Sequence, residues 1–375
     1  MVYMSHYIWQ LEIWPELIWS ARELETPLGK ARFLQGKLLG QVHALGFAAT
    51  DEVRQRFLVT EAVQTSAIEG VQLDPDAVRS SVARRLGLPT AGLPPATPQT
   101  ESLIDLLFDA TNRYDEPLTP DRLKRWQAAL FPTGYSGLRK IIVGDWRKNE
   151  LQVISGPIGK EREHFAAPPP ERLEMEMDRF FTWFDESSRN IDGLLRAGLA
   201  HLYFVTIHPF EDGNGRIARA ITDMALAQDE KLANRFYSLS GQIMNERDEY
   251  YTILEKIQKG NGDVTAWLSW FLSCFQRALE RSENLLENVA MKARFWQRIG
   301  NIPLSEHQRK VVNRLLDAGP EGFKGGLTTR KFASITHVSR ATAYREISDL
   351  LSKRILKQNP GQGRNVSYDL NMEGV

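Results

Sequence analysis

Apolar side chains recur every three or four residues over most of the chain. The stretches are Ala31 to His43, Asp51 to Glu69, Glu101 to Leu130, Glu171 to Ser187, Leu194 to Thr206, Ile217 to Gln228, Asp248 to Gln258 and Val264 to Asn288. This spacing lays an apolar stripe along a helix, so each stretch predicts a helix packed on at least one face. The tryptophans Trp9, Trp14 and Trp19 read as core. The helical pattern fails over 87–98, where Pro89, Pro94, Pro95 and Pro98 join Gly87 and Gly92 and predict a linker or long loop. It fails again between Gly137 and Pro170, where Ile141, Ile142, Val143, Val153 and Ile154 are separated by Gly144, Gly156 and Gly159 and predict a small β-hairpin.

The end of the chain has a different plan. Helices are expected over Glu306 to Leu316, Thr328 to Ile335 and Ser339 to Lys353, followed by Ile355 and Leu356, a turn at Pro360 to Gly363, and Val366 to Leu370. Three helices and a terminal hairpin are the plan of a winged helix-turn-helix domain. The expected fold class is therefore mainly α. It has an N-terminal helical region over 1–98, a helical bundle with a β-hairpin over 99–290, and a winged-helix domain over 300–375.

At 375 residues the chain is too long for one ordinary core. Its 47 basic and 47 acidic residues cancel, so any affinity for nucleic acid or an anionic membrane must be local. The single Cys274 excludes a disulfide framework and a thiolate metal cluster, and its neighbours Trp270, Phe271 and Phe275 predict a buried thiol. No stretch reaches the length of an apolar membrane span and no export signal is recognisable, so a soluble cytoplasmic protein is expected.

Chemistry concentrates in His208-Pro209-Phe210-Glu211-Asp212-Gly213-Asn214-Gly215-Arg216-Ile217-Ala218-Arg219, between two helical stretches. Gly213 and Gly215 flank Asn214 and allow several backbone amides to point at one anion, at the start of a helix whose dipole also favours negative charge. Arg216 and Arg219 stand three apart, on one helix face, and can fork onto successive phosphates. Asp212 is positioned for Mg²⁺ shared with phosphate oxygens, and His208 is the one side chain in the run that can take a proton near neutral pH. A P-loop is excluded because no G-x-x-x-x-G-K-[ST] occurs.

This run resembles the signature of the Fic family, H-x-F-x-[DE]-G-N-G-R-x-x-R, with every specified position met. The resemblance extends over about Glu101 to Asn288. It implies a protein adenylyltransferase that uses ATP and Mg²⁺ to place AMP on a Tyr, Thr or Ser hydroxyl of a target protein or of itself. His208 would deprotonate the hydroxyl, Phe210 anchor the loop, Asp212 bind Mg²⁺, Gly213, Asn214 and Gly215 cradle the α- and β-phosphates, and Arg216 and Arg219 bind the β- and γ-phosphates. The hairpin 148–164 resembles the family's flap, with Gln152, Val153, Ile154, Ser155 and Gly156 as its clamp and an edge on which a target segment can add as a strand. Tyr250, Tyr251 and Gln258 resemble adenine-side positions, with ordinary core packing as the alternative for the tyrosines.

A brake is expected upstream. Gly70 reads as the C-cap of the helix from Asp51, which leaves the carboxylate of Glu69 in the last turn, where the dipole disfavours it by about 0.3–1 kcal/mol. A cation should compensate, and Arg219 is the candidate. The stretch matches the family's inhibitory pattern [ST]-x-x-x-E-[GN] through Thr65, Glu69 and Gly70. By that resemblance Glu69 pairs with Arg219 and blocks the γ-phosphate.

Residues 305–375 hold 12 basic and 7 acidic side chains, among them Arg330, Lys331, Arg340, Arg345, Lys353, Arg354 and Arg364, so the tail is a candidate for DNA or protein contact. Rival readings are a winged-helix regulator in which the nucleotide site only senses, and an enzyme that removes AMP with Glu69 orienting water. A metal hydrolase built on His201 and His208 lacks a third ligand at a recognisable spacing. A homodimer is the default expectation for assembly.

Overall fold

The computed structural model describes residues 7–43, 47–90, 92–155, 162–318, 323–360 and 366–373. Among them the helices are α1 (Ala21–His43), α2 (Phe47–Ile68), α3 (Pro75–Arg85), α4 (Pro98–Asn112) and α5 (Pro120–Leu130). Two hairpins follow, β1 (Tyr135–Ser136) with β2 (Arg139–Lys140), and β3 (Gln152–Ser155) with β4 (Arg162–Ala166). Then come α6 (Leu173–Glu186), α7 (Gly193–Ile207), α8 (Asn214–Glu230), α9 (Leu239–Asn245), α10 (Arg247–Gln258) and α11 (Thr265–Ile299). The chain closes with α12 (Glu306–Leu316), α13 (Thr329–Thr336), α14 (Arg340–Ser352) and a hairpin of β5 (Leu356–Gln358) with β6 (Tyr368–Leu370). The fold is mainly α, and among the described residues the named strands form three small antiparallel hairpins.

Local chemistry sets the boundaries. The stretch Glu101 to Leu130, expected as one helix, is two. Thr97 and Thr119 each cap a helix that starts on proline, accepting from the amides of Thr100 and Arg122 at 3.2 Å. Pro120 therefore starts a second helix rather than continuing the first. Ile141, Ile142 and Val143 also depart from expectation, lying in irregular chain after β2 instead of in a strand.

The chain divides into two compact units, Met1–His43 with Asp51–Ser282, and Ala44–Thr50 with Glu283–Val375. In the first, α7 is the central helix, and its residues from Leu194 to Ile207 are all buried. Gly198 lets α11 come close, since a Cβ there would lie 2.9 Å from the Phe271 ring, and Trp267 donates to the Gly198 carbonyl at 2.8 Å. The proline-rich segment 87–98 does not separate two bodies. Across it Arg85 on α3 pairs with Glu101 and Asp105 on α4, and farther off Arg32 on α1 grips Asp229 on α8. Trp14 likewise donates to Glu176 at 2.8 Å.

In the second unit Phe295, Val311, Leu315, Phe332, Ile347 and Leu350 are core, joined by Tyr368 from β6. Three helices and a hairpin follow one another there, in the order expected from sequence. No helix among the described residues is long and apolar enough to cross a membrane.

Candidate active site

The motif joins α7 to α8. His208 caps α7 in the left-handed conformation (φ 52°), which turns the chain out of the helix. Its Nδ1 lies 3.0 Å from the Val205 carbonyl, an atom that only accepts, so Nδ1 carries the proton and Nε2 keeps its lone pair. Burial holds the imidazole below its ordinary pKa, and the Arg147 charge adds to this against the opposing pull of the Val205 hydrogen bond. His208 Nε2 has no hydrogen-bond partner among the described residues, and a neutral imidazole of this kind can accept a proton.

The loop is braced from inside. Asn214 accepts from the Phe210 amide at 3.0 Å and donates to the Phe210 carbonyl at 2.8 Å, closing the turn on itself. The Phe210 ring is fully buried against Trp146, 4.9 Å between centroids. Gly213 has φ 90°, reserved in practice for glycine, and Gly215 leaves open the space in front of the first turn of α8.

That space is filled by Glu69. A Cβ on Gly215 would lie 2.2 Å from Glu69 Oε1. Arg219 Nη2 donates to the same Oε1 at 2.7 Å, and Arg219 also grips Thr65, with Nε to Oγ1 at 2.7 Å and Nη2 to the carbonyl at 2.9 Å. Gly70 follows in the left-handed region (φ 78°) and ends α2 as expected of a C-cap, while Arg247 donates to the Ile68 carbonyl at 2.9 Å. Thus the structure brings together Thr65, Glu69, Gly215 and Arg219, which are far apart in sequence.

Arg216 lies over the Phe131 ring at 5.0 Å and 3.7 Å from Asp212. Arg216 Nε and Arg219 Nη1 are buried and have no hydrogen-bond partner among the described residues. Two unsatisfied guanidinium donors beside a glycine-lined helix N-terminus fit a polyphosphate. Asp212 accepts from Ser136 Oγ on β1 and from its own neighbour Gly213, and its carboxylate remains partly exposed. One such carboxylate beside phosphate oxygens is the usual protein share of a Mg²⁺ site.

The other expected contacts divide. Tyr250 is buried, donates or accepts at 2.8 Å with His201 Nε2, and packs on Trp270. Gln258 is buried and reaches Thr206 at 3.4 Å, whereas Tyr251 is 38% exposed beneath Arg247. Both ring nitrogens of His201 are engaged, Nδ1 with Thr222 at 3.0 Å, so it is not free to join His208 as a metal ligand. In the hairpin, Val153 packs toward Tyr7 and Phe165, and Ile154 is 55% exposed. Gln152 pairs with Ala166, Ser155 with Arg162, and Gly156 lies outside the described residues.

Sequence alone did not single out Arg147, Ser136 or Glu255. Arg147 is buried and donates to the carbonyls of His208 at 2.8 Å, Asn149 at 2.8 Å and Pro168 at 2.5 Å, tying the base to the foot of the hairpin. Glu255 on α10 holds β4 through Arg162 and His164. Arg147 is a lone charge in irregular chain, and Ser136 and Glu255 are set apart only by partners distant in sequence, so no local pattern marked them.

Comparison with known proteins fits this geometry. The Fic/DOC family matches residues 117–226, and a domain of unknown function (DUF4172) matches residues 7–88. A uridine 5'-monophosphate transferase of Xanthomonas campestris pv. campestris (strain 8004) is 34% identical over 118 residues, 29% of this chain and 21% of that protein. The protein adenylyltransferase Fic of Nematostella vectensis is 31% identical over 116 residues, 30% of this chain and 25% of that protein. The chain thus spans about a fifth to a quarter of the length of these curated relatives. In fold it is similar to a Fic family protein from Desulfovibrio desulfuricans G20 (TM-score 0.54, 16% identity, 95% of this chain and 98% of that one). It is also similar to a Fic domain containing signaling protein from Bacteroides thetaiotaomicron VPI-5482 (TM-score 0.51, 18% identity, 71% of this chain and 97% of that one).

Proposed function

We propose that the Fic/DOC domain carried by residues 117–226 makes this chain a protein adenylyltransferase, which transfers AMP from ATP to a side-chain hydroxyl and is restrained by its own Glu69. The observation that carries this reading is the pair of unsatisfied guanidinium donors, Arg216 Nε and Arg219 Nη1, in a glycine-lined nest whose open space is filled by the Glu69 carboxylate.

In this mechanism the hydroxyl proton passes to His208 Nε2 as the oxygen attacks the α-phosphorus. The bond from that phosphorus to the bridging oxygen breaks, and pyrophosphate leaves. Backbone amides at Gly213 to Gly215 and the two guanidiniums orient the phosphates and meet the charge that develops on the leaving group. Asp212 would hold Mg²⁺, which would supply further charge neutralisation there. Asn214 and Arg147 keep the loop and the imidazole in register. The target segment adds to the outer edge of β3, which has no strand partner among the described residues, and so lays its hydroxyl alongside the α-phosphate.

Glu69 acts as a built-in anion. With its carboxylate on Arg219, the γ-phosphate cannot take that guanidinium, and ATP is held out of the in-line pose. Similarity to a uridine 5'-monophosphate transferase favours a second reading of the base, UMP transfer from UTP by the same residues. Incubation of Glu69→Gly with ATP labelled at the α- or the γ-phosphate, and with α-labelled UTP, tests the proposal. Label from the α position that survives denaturation is expected; label from the γ position, or none from any nucleotide, would reject it.

A further inference from the structure

The C-terminal unit carries a charge pattern that nucleotide transfer does not use. His337, at φ 58°, ends α13, and three residues later α14 has begun, with Ser339 Oγ accepting from the Thr342 amide at 3.1 Å. Ahead of α13, Leu327 exchanges two backbone hydrogen bonds of 2.8 Å with Tyr368, so a one-residue strand joins the β5–β6 hairpin. Helix, strand, two helices across a tight turn, then a hairpin make α14 the second helix of a helix-turn-helix.

The two sides of α14 differ. Ala343, Ile347 and Leu350 are buried, whereas Arg340, Ala341, Tyr344, Arg345 and Ser348 are exposed, Tyr344 to 61%. The helix does contain acids, but they are turned off this stripe and tied down. Glu346 accepts from Ser305 Oγ at 3.0 Å, and Asp349 accepts from Gln308 at 2.7 Å and from Lys353 at 2.5 Å. Arg340 and Arg345 form no hydrogen bond or ion pair with any described residue. The stripe is therefore basic, aromatic and free of acids, on a helix about 10–12 Å across, the width that a major groove of about 12 Å admits.

We propose that α14 is the recognition helix of a double-stranded DNA site, with Arg340 and Arg345 meeting phosphates or guanine edges and Tyr344 packing between them in the major groove. Charge complementarity selects duplex DNA as the occupant: the whole chain is neutral, yet 305–375 holds 12 basic and 7 acidic residues. Exposed Lys357 on β5 and Arg330 on α13 extend the basic surface of the same unit. Arg364 lies outside the described residues.

Fluorescence anisotropy of the full chain with a labelled mixed-sequence duplex tests this directly. Binding should be detectable at low salt and weaken steeply as salt is added. In the double variant Arg340→Ala/Arg345→Ala, affinity should fall about tenfold or more, and the slope of log K against log salt should drop by about 1.8, the share of two neutralised phosphates. All of these side chains are exposed, so the variant should melt as the parent does. His208→Ala should bind DNA like the parent, which keeps this outcome separate from that of AMP transfer. No binding by the parent at low salt, as for a module that docks only proteins, would overturn the proposal. So would a double variant with unchanged affinity and slope.

Discussion

Under the proposed function, replacing Glu69 by glycine removes an anion that would compete with the γ-phosphate for Arg219. The contact is a single charge-assisted hydrogen bond of 2.7 Å between a guanidinium 2% exposed and a carboxylate 30% exposed. Hydrogen bonds to charged groups contribute about 1.5–3 kcal/mol, and the partial exposure of Glu69 argues against anything larger. At about 1.4 kcal/mol per decade, the productive ATP complex should gain about 10- to 150-fold in population relative to the restrained one. Arg219 keeps both of its Thr65 contacts, so the site should stay assembled without the carboxylate. The initial rate of protein labelling at subsaturating ATP should therefore rise by about one to two decades, and thermal stabilisation by Mg-ATP should increase with it. Glu69→Gln, which preserves shape but not charge, should fall between the two. An unchanged rate in Glu69→Gly, with ATP binding also unchanged, would refute the brake.

Three other consequences follow from the same geometry. Burial lowers His201 from its ordinary 6.5 to about 3, and the unfolded chain takes up that proton first. The native state thus has its full His201 contribution above pH 6.5 and loses it, at about 1.4 kcal/mol per pH unit, as acid brings the pH down toward 3; urea melts across that window should show a slope that is absent in His201→Gln. Glu61 on α2 accepts from Ser238 Oγ at 2.7 Å, from the Ser240 amide at 3.1 Å and from Ser240 Oγ, and so anchors the helix that carries Glu69. Glu61→Ala should cost about 1–3 kcal/mol of stability in chemical denaturation and also raise transfer, whereas Glu61→Gln should do much less. Asn214→Ala strands the Phe210 amide and carbonyl, and should cost about 1–3 kcal/mol and slow transfer even at saturating ATP.

Much of the local geometry of the candidate site was legible because its parts are close in sequence. His208 to Arg219 is a loop and one helical turn, where glycine, asparagine and arginine each have a local geometric reason. The pairing of Glu69 with Arg219 was accessible because a carboxylate at a helix C-terminus needs a cation and because Thr65, Glu69 and Gly70 match the inhibitory pattern of the family that the motif resembles. What sequence missed depends on distant contacts. Arg32 with Asp229, Trp14 with Glu176 and Glu61 with Ser240 bind the N-terminal helices into the same unit as the motif, and no periodicity announces such pairs. The prolines of 87–98 were a correct sign of irregular chain and a poor sign of a domain boundary, because a turn is polar and kinked whether or not its two sides pack together. Ile141 to Val143 have strand-like composition, but Ile142 donates its amide to the Glu211 carboxylate at 3.1 Å, and the segment is held by the motif loop instead of a strand partner.

The central claim, that His208 drives transfer of an intact AMP group, is tested most directly by intact-mass measurement of the Glu69→Gly protein after incubation with Mg-ATP and a bacterial lysate, beside Glu69→Gly/His208→Ala. Addition of one AMP mass per modified protein by the first, and none by the second although it still binds ATP, is the predicted result. A phosphate-sized increment, or equal AMP addition by both, would contradict it.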